Sequence, residues 1–266
     1  MAGAADDLVL SAAALPGLPE IRFGDDLTGL IARASSAPFA PGKLWPVAAG
    51  DVLVIAHKVV SKAEGRVRTL AEVTPSARAI SLAAEHRVGK DPRHVQVVLE
   101  ESSEILRAAH GVLICVTEHG FVCANAGVDA SNAPGPETVI LLPRDPDASA
   151  RRLRTGLRAL LGVAPAVLIT DSFGRAWRHG QCDLAIGCAG LSPLEDWRGR
   201  RDASGRELRA TWIAVADQLA GTADLARRKD AMEPVVVVRG AGAHVTPEDG
   251  PGAAALLRPE AQDLFR

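Results

Sequence analysis

The chain has no tyrosine, and only four tryptophans and five phenylalanines among its 266 residues. So few aromatic faces leave little for single-stranded nucleic acid to stack on. A surplus charge of one sign is missing as well. The formal net charge is −2, with both signs spread along the chain, which provides no basic field for a phosphate backbone. Nucleic acid is not expected as a partner. No uninterrupted apolar run approaches the about 20 residues that a bilayer-spanning helix requires, so no membrane association is expected. At the N terminus, Asp6 and Asp7 stand where a signal peptide needs basic residues, and Ser11 and Pro16 interrupt the apolar part. The expectation is a soluble, cytoplasmic protein.

Cysteine is scarce, and Cys115, Cys123, Cys182 and Cys188 contain no pair at zinc-knuckle or redox-dithiol spacing. If Glu118 to Gly120 turn a hairpin, Cys115 and Cys123 fall opposite one another, and both read as small buried hydrophobes in a reducing compartment. There is no GxxxxGK[ST] loop, no GxGxxG fingerprint and no HExxH pair among the seven histidines. DSFG at 171–174 is interrupted by Ser172 and lacks an HRD partner, so it is not the kinase motif. Any nucleotide must bind at a non-P-loop site.

What is present is a 47% hydrophobic chain, enough for a core that folds without staples. Strands are predicted at 8–13, 50–57, 112–117, 121–125, 138–143, 166–170, 184–191, 207–213 and 234–240. One helix is expected after Asp25 or Asp26, another from a Thr74 cap with Pro75 through about residue 87. A third spans 149–162, with Leu153, Leu157, Leu160 and Leu161 inward and its four arginines in water, and a fourth spans 214–228. Loop-like Pro/Gly-rich junctions fall at 38–50 and 132–137. Hairpins mixed with helices predict an α+β fold, with mixed and antiparallel sheets and flanking helices. Residues 1–245 are expected to form the main unit, with room for two interleaved subdomains, and 246–266 a C-terminal tail helix.

The stretch FVCANAGVDASNAPG, residues 121–135, is an odd way to fill a core. Its polar side chains are separated by Gly127 and small alanines. Asp129 lies in this small-residue loop, and Asp171, followed by Ser172, directly follows the apolar run AVLIT. A carboxylate at a strand end faces a cleft while the strand sets its direction. Two carboxylates and a hydroxyl suit a hard divalent cation that keeps water or phosphate as its other ligands. The same residues also fit an Asx-type turn and a local loop cap, and spacing does not bring 129 and 171 together. Lys58 and Lys62 follow a buried strand, where an ammonium reaches phosphate oxygens or simply solvent. Arg175, Arg178 and His179 add positive charge behind Asp171.

The blocks IAHKVVSKAEGR, CANAGVDASN, LLPRDPDASARRLR, ITDSFGRAWRHGQ, AIGCAGL, AVADQLAGTADL and PVVVVRG resemble, in order and spacing, the coenzyme F420-0:L-glutamate ligase family. The resemblance runs from about residue 15 to Gly240. It implies a GTP-dependent ligase that joins L-glutamate to the deazaflavin precursor F420-0 through an acyl phosphate, then adds gamma-linked glutamates. It further implies Mg²⁺ or Mn²⁺ with K⁺, and an intertwined homodimer. On matched positions it implies a metal at Asp129, Asp171 and Ser172. The nucleotide would meet Leu18, Pro19, Glu20, Ile21, His57, Lys62 and Asn132. Arg175 and Arg178 are our assignment for the anionic coenzyme. The chain departs from the pattern at ARRKDAMEP: Arg228 replaces an expected glycine and Lys229 stands where a second metal ligand is expected. That departure keeps open a catalytically silent binding paralogue, beside a related ligase acting on another carboxylate-bearing cofactor. The extra flavin-binding domain of some relatives is not expected here.

Overall fold

The structure, a computed structural model, describes residues 9–36, 44–85 and 90–264. Leu8, residues 38–43 of the first junction and residues 86–87 of the second helix lie outside the described residues. In chain order the elements are β1 (Ser11–Ala14), α1 (Leu27–Ser36), β2 (Val52–Ala56), α2 (His57–Ala63), β3 (Val67–Thr69), α3 (Ala77–Glu85), α4 (Pro92–Glu100), β4 (Ser102–Ala109) and β5 (Val112–Thr117). There follow β6 (Val122–Ala124), β7 (Thr138–Ile140), α5 (Pro146–Leu161), β8 (Ala166–Arg175), β9 (Arg178–Ala189), β10 (Glu195–Asp196), β11 (Trp212–Ile213), α6 (Val215–Ala226) and β12 (Val235–Arg239). The fold is α+β.

The main sheet has the order β1-β12-β2-β8-β9; only β2 and β8 are parallel. Its central strands read as continuous apolar runs because both faces are covered. Leu53, Ile55, Val167 and Ile169 pack on α1 and α5, whereas Val52, Val54, Leu168 and Val236 pack on α6. Gly187 of β9 admits α5, since a side chain there would meet the Pro146 backbone at 2.5 Å. A third cluster joins α3, α4, β4, β5 and β7 around Val95, Val98, Leu113 and Val139. Cys115 and Cys123 are register partners across β5 and β6, and both thiols are free.

Several expectations need correction. Ser76, not Thr74, caps α3, accepting from Ala79 N at 3.2 Å. The cap of α1, expected at Asp25 or Asp26, is Asp26, which accepts from Gly29 N at 2.9 Å. Helix α5 starts three residues early, because Asp145 accepts from Ala148 N at 2.8 Å and Pro146 takes the first helical position. On that helix Leu160 is exposed and Arg154 is buried, bonded to Asp249 Oδ1 and the Pro165 and Thr246 carbonyls. The tail forms two 3₁₀ turns, Ala253–Leu256 and Glu260–Gln262, instead of one helix. Gly250, Pro251, Gly252 and Pro259 break the helical pattern, and Asp147 Oδ1 accepts from Ala253 N at 2.7 Å. The strand expected at 207–213 shrinks to the two residues of β11.

Candidate active site

Where β2 ends, the chain turns at once into α2, so His57, expected to end the strand 50–57, opens a helix that was not predicted. His57 and Ser61, and likewise Lys58 and Lys62, stand four residues apart and share helix faces. His57, Ser61 and Lys62 are buried. His57 Nδ1 lies 3.3 Å from Ser61 Oγ. Its Nε2 lies 3.2 Å from Asp171 Oδ1, close enough for ion pairing but without good hydrogen-bond alignment.

Asp171 does not close its strand. β8 continues to Arg175 and pairs with β9 in a long hairpin that leaves the core. The apolar signal stopped at Thr170 because burial stopped there, while the hydrogen-bond ladder went on. A register shift opposite Ile169 and Thr170, with Ile186 as the extra residue, re-aims the strand beside the site.

The 121–135 stretch reaches the site from the end of β6. Asn125, Ala126 and Gly127 have φ of 53°, 53° and 72°, three successive left-handed residues. That conformation suits Asn125 and Gly127 and costs about 1–2 kcal/mol at Ala126, which has a Cβ. At Gly127 a Cβ would meet buried Leu142 at 2.7 Å. The turn delivers Asp129, whose backbone is clamped to Ile140 by two hydrogen bonds of 2.8 and 3.0 Å. Asp129 Oδ1 accepts from Ser131 N at 2.8 Å, the Asx turn, while Oδ2 takes Lys58 Nζ at 2.5 Å. Of the sequence readings of Asp129, the Asx turn is present, made with Ser131 instead of Asn132, and the carboxylate's other oxygen is taken by Lys58. Burial pushes its carboxyl up, but the Lys58 and Ser131 hydrogen bonds outweigh this and hold it below the usual range.

These elements enclose a cavity of about 570 Å³. Its wall brings together Pro19, Glu20, Ile21, His57, Lys58 and Lys62 with Asp129, Asn132, Asp171 and Ser172. Leu18 lies below it in the core. Arg175 and Arg178 do not line it; they flank the exposed hairpin turn, where Arg175 Nη2 donates to His179 O at 3.0 Å. A second cavity of about 870 Å³ adjoins the first through Glu20, Ile21, Lys62 and Asn132.

The wall also contains residues that sequence reasoning missed. Asp183 on β9 is wholly buried, with Oδ1 accepting from Ser172 Oγ at 2.6 Å and Oδ2 from Thr170 Oγ1 at 2.8 Å. Arg227, at the end of α6, pairs with Oδ2, and Lys229 Nζ lies 3.4 Å from Oδ1. Burial raises the Asp183 carboxyl, but Arg227, Ser172, Thr170 and Lys229 together hold it below its ordinary value. The only sequence signal was a lone acid at the edge of the apolar run LAIGCAGL.

The charges on this wall are nearly matched. Glu20 faces Lys62 at 2.5 Å, Asp129 faces Lys58, Asp183 faces Arg227, and Glu233 lies 3.8 Å from Arg228. Among the described residues Asp171 has no lysine or arginine partner, only the His57 ring. Among the described residues no group of three or more His, Cys, Asp or Glu side chains converges on one point, so what this wall offers a hard cation is the Asp171 carboxylate, with Asp129 held by Lys58.

The sequence profile of the F420-0:gamma-glutamyl ligase family matches residues 17–240. The chain is 46% identical to the coenzyme F420:L-glutamate ligase of Methanopyrus kandleri, over 93% of this chain and 94% of that protein. It is 43% identical to the enzyme of the same name from Methanothermobacter thermautotrophicus, covering 97% and 99%. For the one from Haloarcula marismortui the identity is 40%, covering 95% and 94%. The matched residues include every element that lines the cavity, and the chain belongs to the F420-0:gamma-glutamyl ligase family.

Proposed function

We propose that this protein is a GTP-dependent coenzyme F420-0:L-glutamate ligase, forming an amide between L-glutamate and the acceptor carboxylate and then extending it by gamma linkages. The observation that carries the reading is the convergence of Asp129, Asp171, Lys58 and Lys62 on one cavity wall in a chain of this family. Lys62 has a side chain only 7% exposed, whereas its partner Glu20 is half-exposed. The ammonium is therefore held in place, and Glu20 can return to water when phosphate oxygens take its position. Lys58 lies ready to exchange Asp129 in the same way, which frees that carboxylate.

In this reading Asp171 and Asp129 hold Mg²⁺ or Mn²⁺, with Ser172 adjoining, and K⁺ is an accessory ion. When bound, the divalent ion neutralises charge on the transferred phosphoryl group. His57 orients Asp171, and Asn132 and residues 19–21 position the nucleotide. The acceptor carboxylate attacks the γ-phosphorus and GDP leaves; the glutamate amine then attacks the acyl phosphate and phosphate leaves. Side chains contribute positioning and charge instead of covalent chemistry. The adjoining cavity, sharing the Lys62 and Asn132 wall, suits the second substrate. Arg175 and Arg178 have no part in these steps.

A cytoplasmic setting is supported by four free cysteines, two of them directly opposed in register. No helix among the described residues is long and apolar enough to cross a membrane. A homodimer is supported by two exposed tryptophans, Trp177 at the β8–β9 turn and Trp212 of β11. Light scattering after size exclusion tests it, with a monomer mass opposing it. The activity is tested by incubating the protein with F420-0, L-glutamate, GTP and Mn²⁺ and following products by mass spectrometry. A ladder of glutamate additions with GDP release is expected. Intact precursor, where a working family member succeeds in parallel, would refute the reading.

A further inference from the structure

At the far end of the cavity, Lys229 Nζ is surrounded by oxygens from three separate elements. Ser172 Oγ of β8 lies at 2.7 Å, Asp224 Oδ1 of α6 at 2.9 Å and Asp183 Oδ1 of β9 at 3.4 Å. An ammonium has three N–H donors and no acceptor; Ser172 Oγ and Asp183 Oδ1 accept from it, while Asp224 Oδ1 is at ion-pairing distance without hydrogen-bond alignment. The charge count points the same way. Asp183 and Asp224 bring two carboxylates to this corner, and Arg227 supplies one guanidinium, paired with Asp183 and 3.9 Å from Asp224. One positive charge is still needed, because an uncompensated carboxylate beside a buried one is costly.

We propose that the Lys229 ammonium is that charge: a built-in counter-ion that fills the Ser172–Asp183–Asp224 corner and keeps metal ions out of it. This rests on the reading of the cavity as a metal site, and it deepens that reading by confining the metal to the Asp171 side. Burial lowers the ammonium's pKa, but the Asp224 and Asp183 contacts outweigh it, and the group stays charged. The lysine stem is 64% exposed, so its replacement alters the charge without opening the core. Without it, two carboxylates and a hydroxyl form an oxygen set that suits a hard divalent cation completing its shell with water.

The test counts Mn²⁺ bound to the full-length protein, by electron paramagnetic resonance of free ion during titration with MnCl₂, for the wild type, Lys229→Gln and Lys229→Arg. Circular dichroism confirms the fold of each. Lys229→Gln is expected to bind one more ion per chain than the wild type. Lys229→Arg should match the wild type, and adding Asp224→Asn to Lys229→Gln should remove the gain. Equal counts for wild type and Lys229→Gln, or a gain that survives Asp224→Asn, would overturn the inference. A wild type that binds no Mn²⁺, with a Gln variant that gains one, would instead count against the metal at Asp171 and leave the role of Lys229 standing.

Discussion

Replacing Asp183 by asparagine should destabilise the protein far more than an ordinary polar exchange. The side chain is wholly buried, and it is the carboxylate partner of Arg227, whose own side chain is 7% exposed. Removing one member of a buried pair costs about 3–5 kcal/mol, because the other charge is left without compensation. Two features place this case near the lower end. Arg227 keeps Thr170 Oγ1 at 3.1 Å and the Pro234 carbonyl at 3.3 Å, and asparagine keeps one oxygen for Ser172 or Thr170. The expected loss is about 3 kcal/mol, readable as a lowered midpoint in urea denaturation without nucleotide. Adding Arg227→Met should recover part of it, since the stranded charge is then gone. Acid provides an independent check. The native carboxyl titrates below its ordinary 3.8, so the unfolded chain binds more protons in the window beneath that value. The stabilisation is present above the unfolded pKa and is lost as the pH falls through the native one. The gap between wild type and variant should therefore be full at neutral pH and shrink below about pH 4. A loss under about 1 kcal/mol at neutral pH, where a surface exchange would fall, would refute the account of this pair.

Asp171→Asn should cut turnover by about 100-fold or more, as expected when a preorganised charge is lost, while unfolding free energy changes by about 1 kcal/mol or less because asparagine still accepts from Ser172 N. Coupled GDP-release kinetics and urea melts read both, and full activity in the folded variant would remove Asp171 from the metal site. Lys62→Ala should weaken GTP binding by about 1.5–3 kcal/mol, the worth of a charge-assisted hydrogen bond, or roughly 10- to 150-fold in Kd. Unchanged affinity by calorimetry would take Lys62 off the phosphates. Gly127→Ala meets both a left-handed backbone and Leu142, and should cost about 1–3 kcal/mol in stability. A neutral result would mean that the turn carrying Asp129 is not constrained as described.

Much of this protein could be read from its residues, for reasons of local physics. Apolar runs such as GDVLVIAH and PVVVVRG marked central strands, because a strand buried on both faces must be apolar throughout. The capping acid of the first helix was legible, although the Asp-Pro starts at Asp91 and Asp145 went unread and Ser76 was passed over for Thr74. The hairpin pairing of Cys115 with Cys123 followed from alternation and a short turn alone. Lys62, Asp129, Asn132, Asp171 and Ser172 were singled out by residue type and position, His57 only through the family resemblance, and all line one cavity.

Tertiary structure decided what periodicity cannot carry. Asp171 sits within a strand and not at its end, because hydrophobicity records burial and not hydrogen bonding, and the β8–β9 ladder outruns the core. Arg175 and Arg178 are close to Asp171 in sequence, yet the hairpin carries them to its tip. Asp183 and Arg227 are 44 residues apart, and only the packing of α6 against β9 makes them a pair. Lys229 entered as a departure from a pattern, and the fold surrounded it with oxygens from three elements. The sequence by itself determined which side chains were available and which segments would be buried. The fold alone decided which charges meet, since that depends on contacts between segments far apart in the chain.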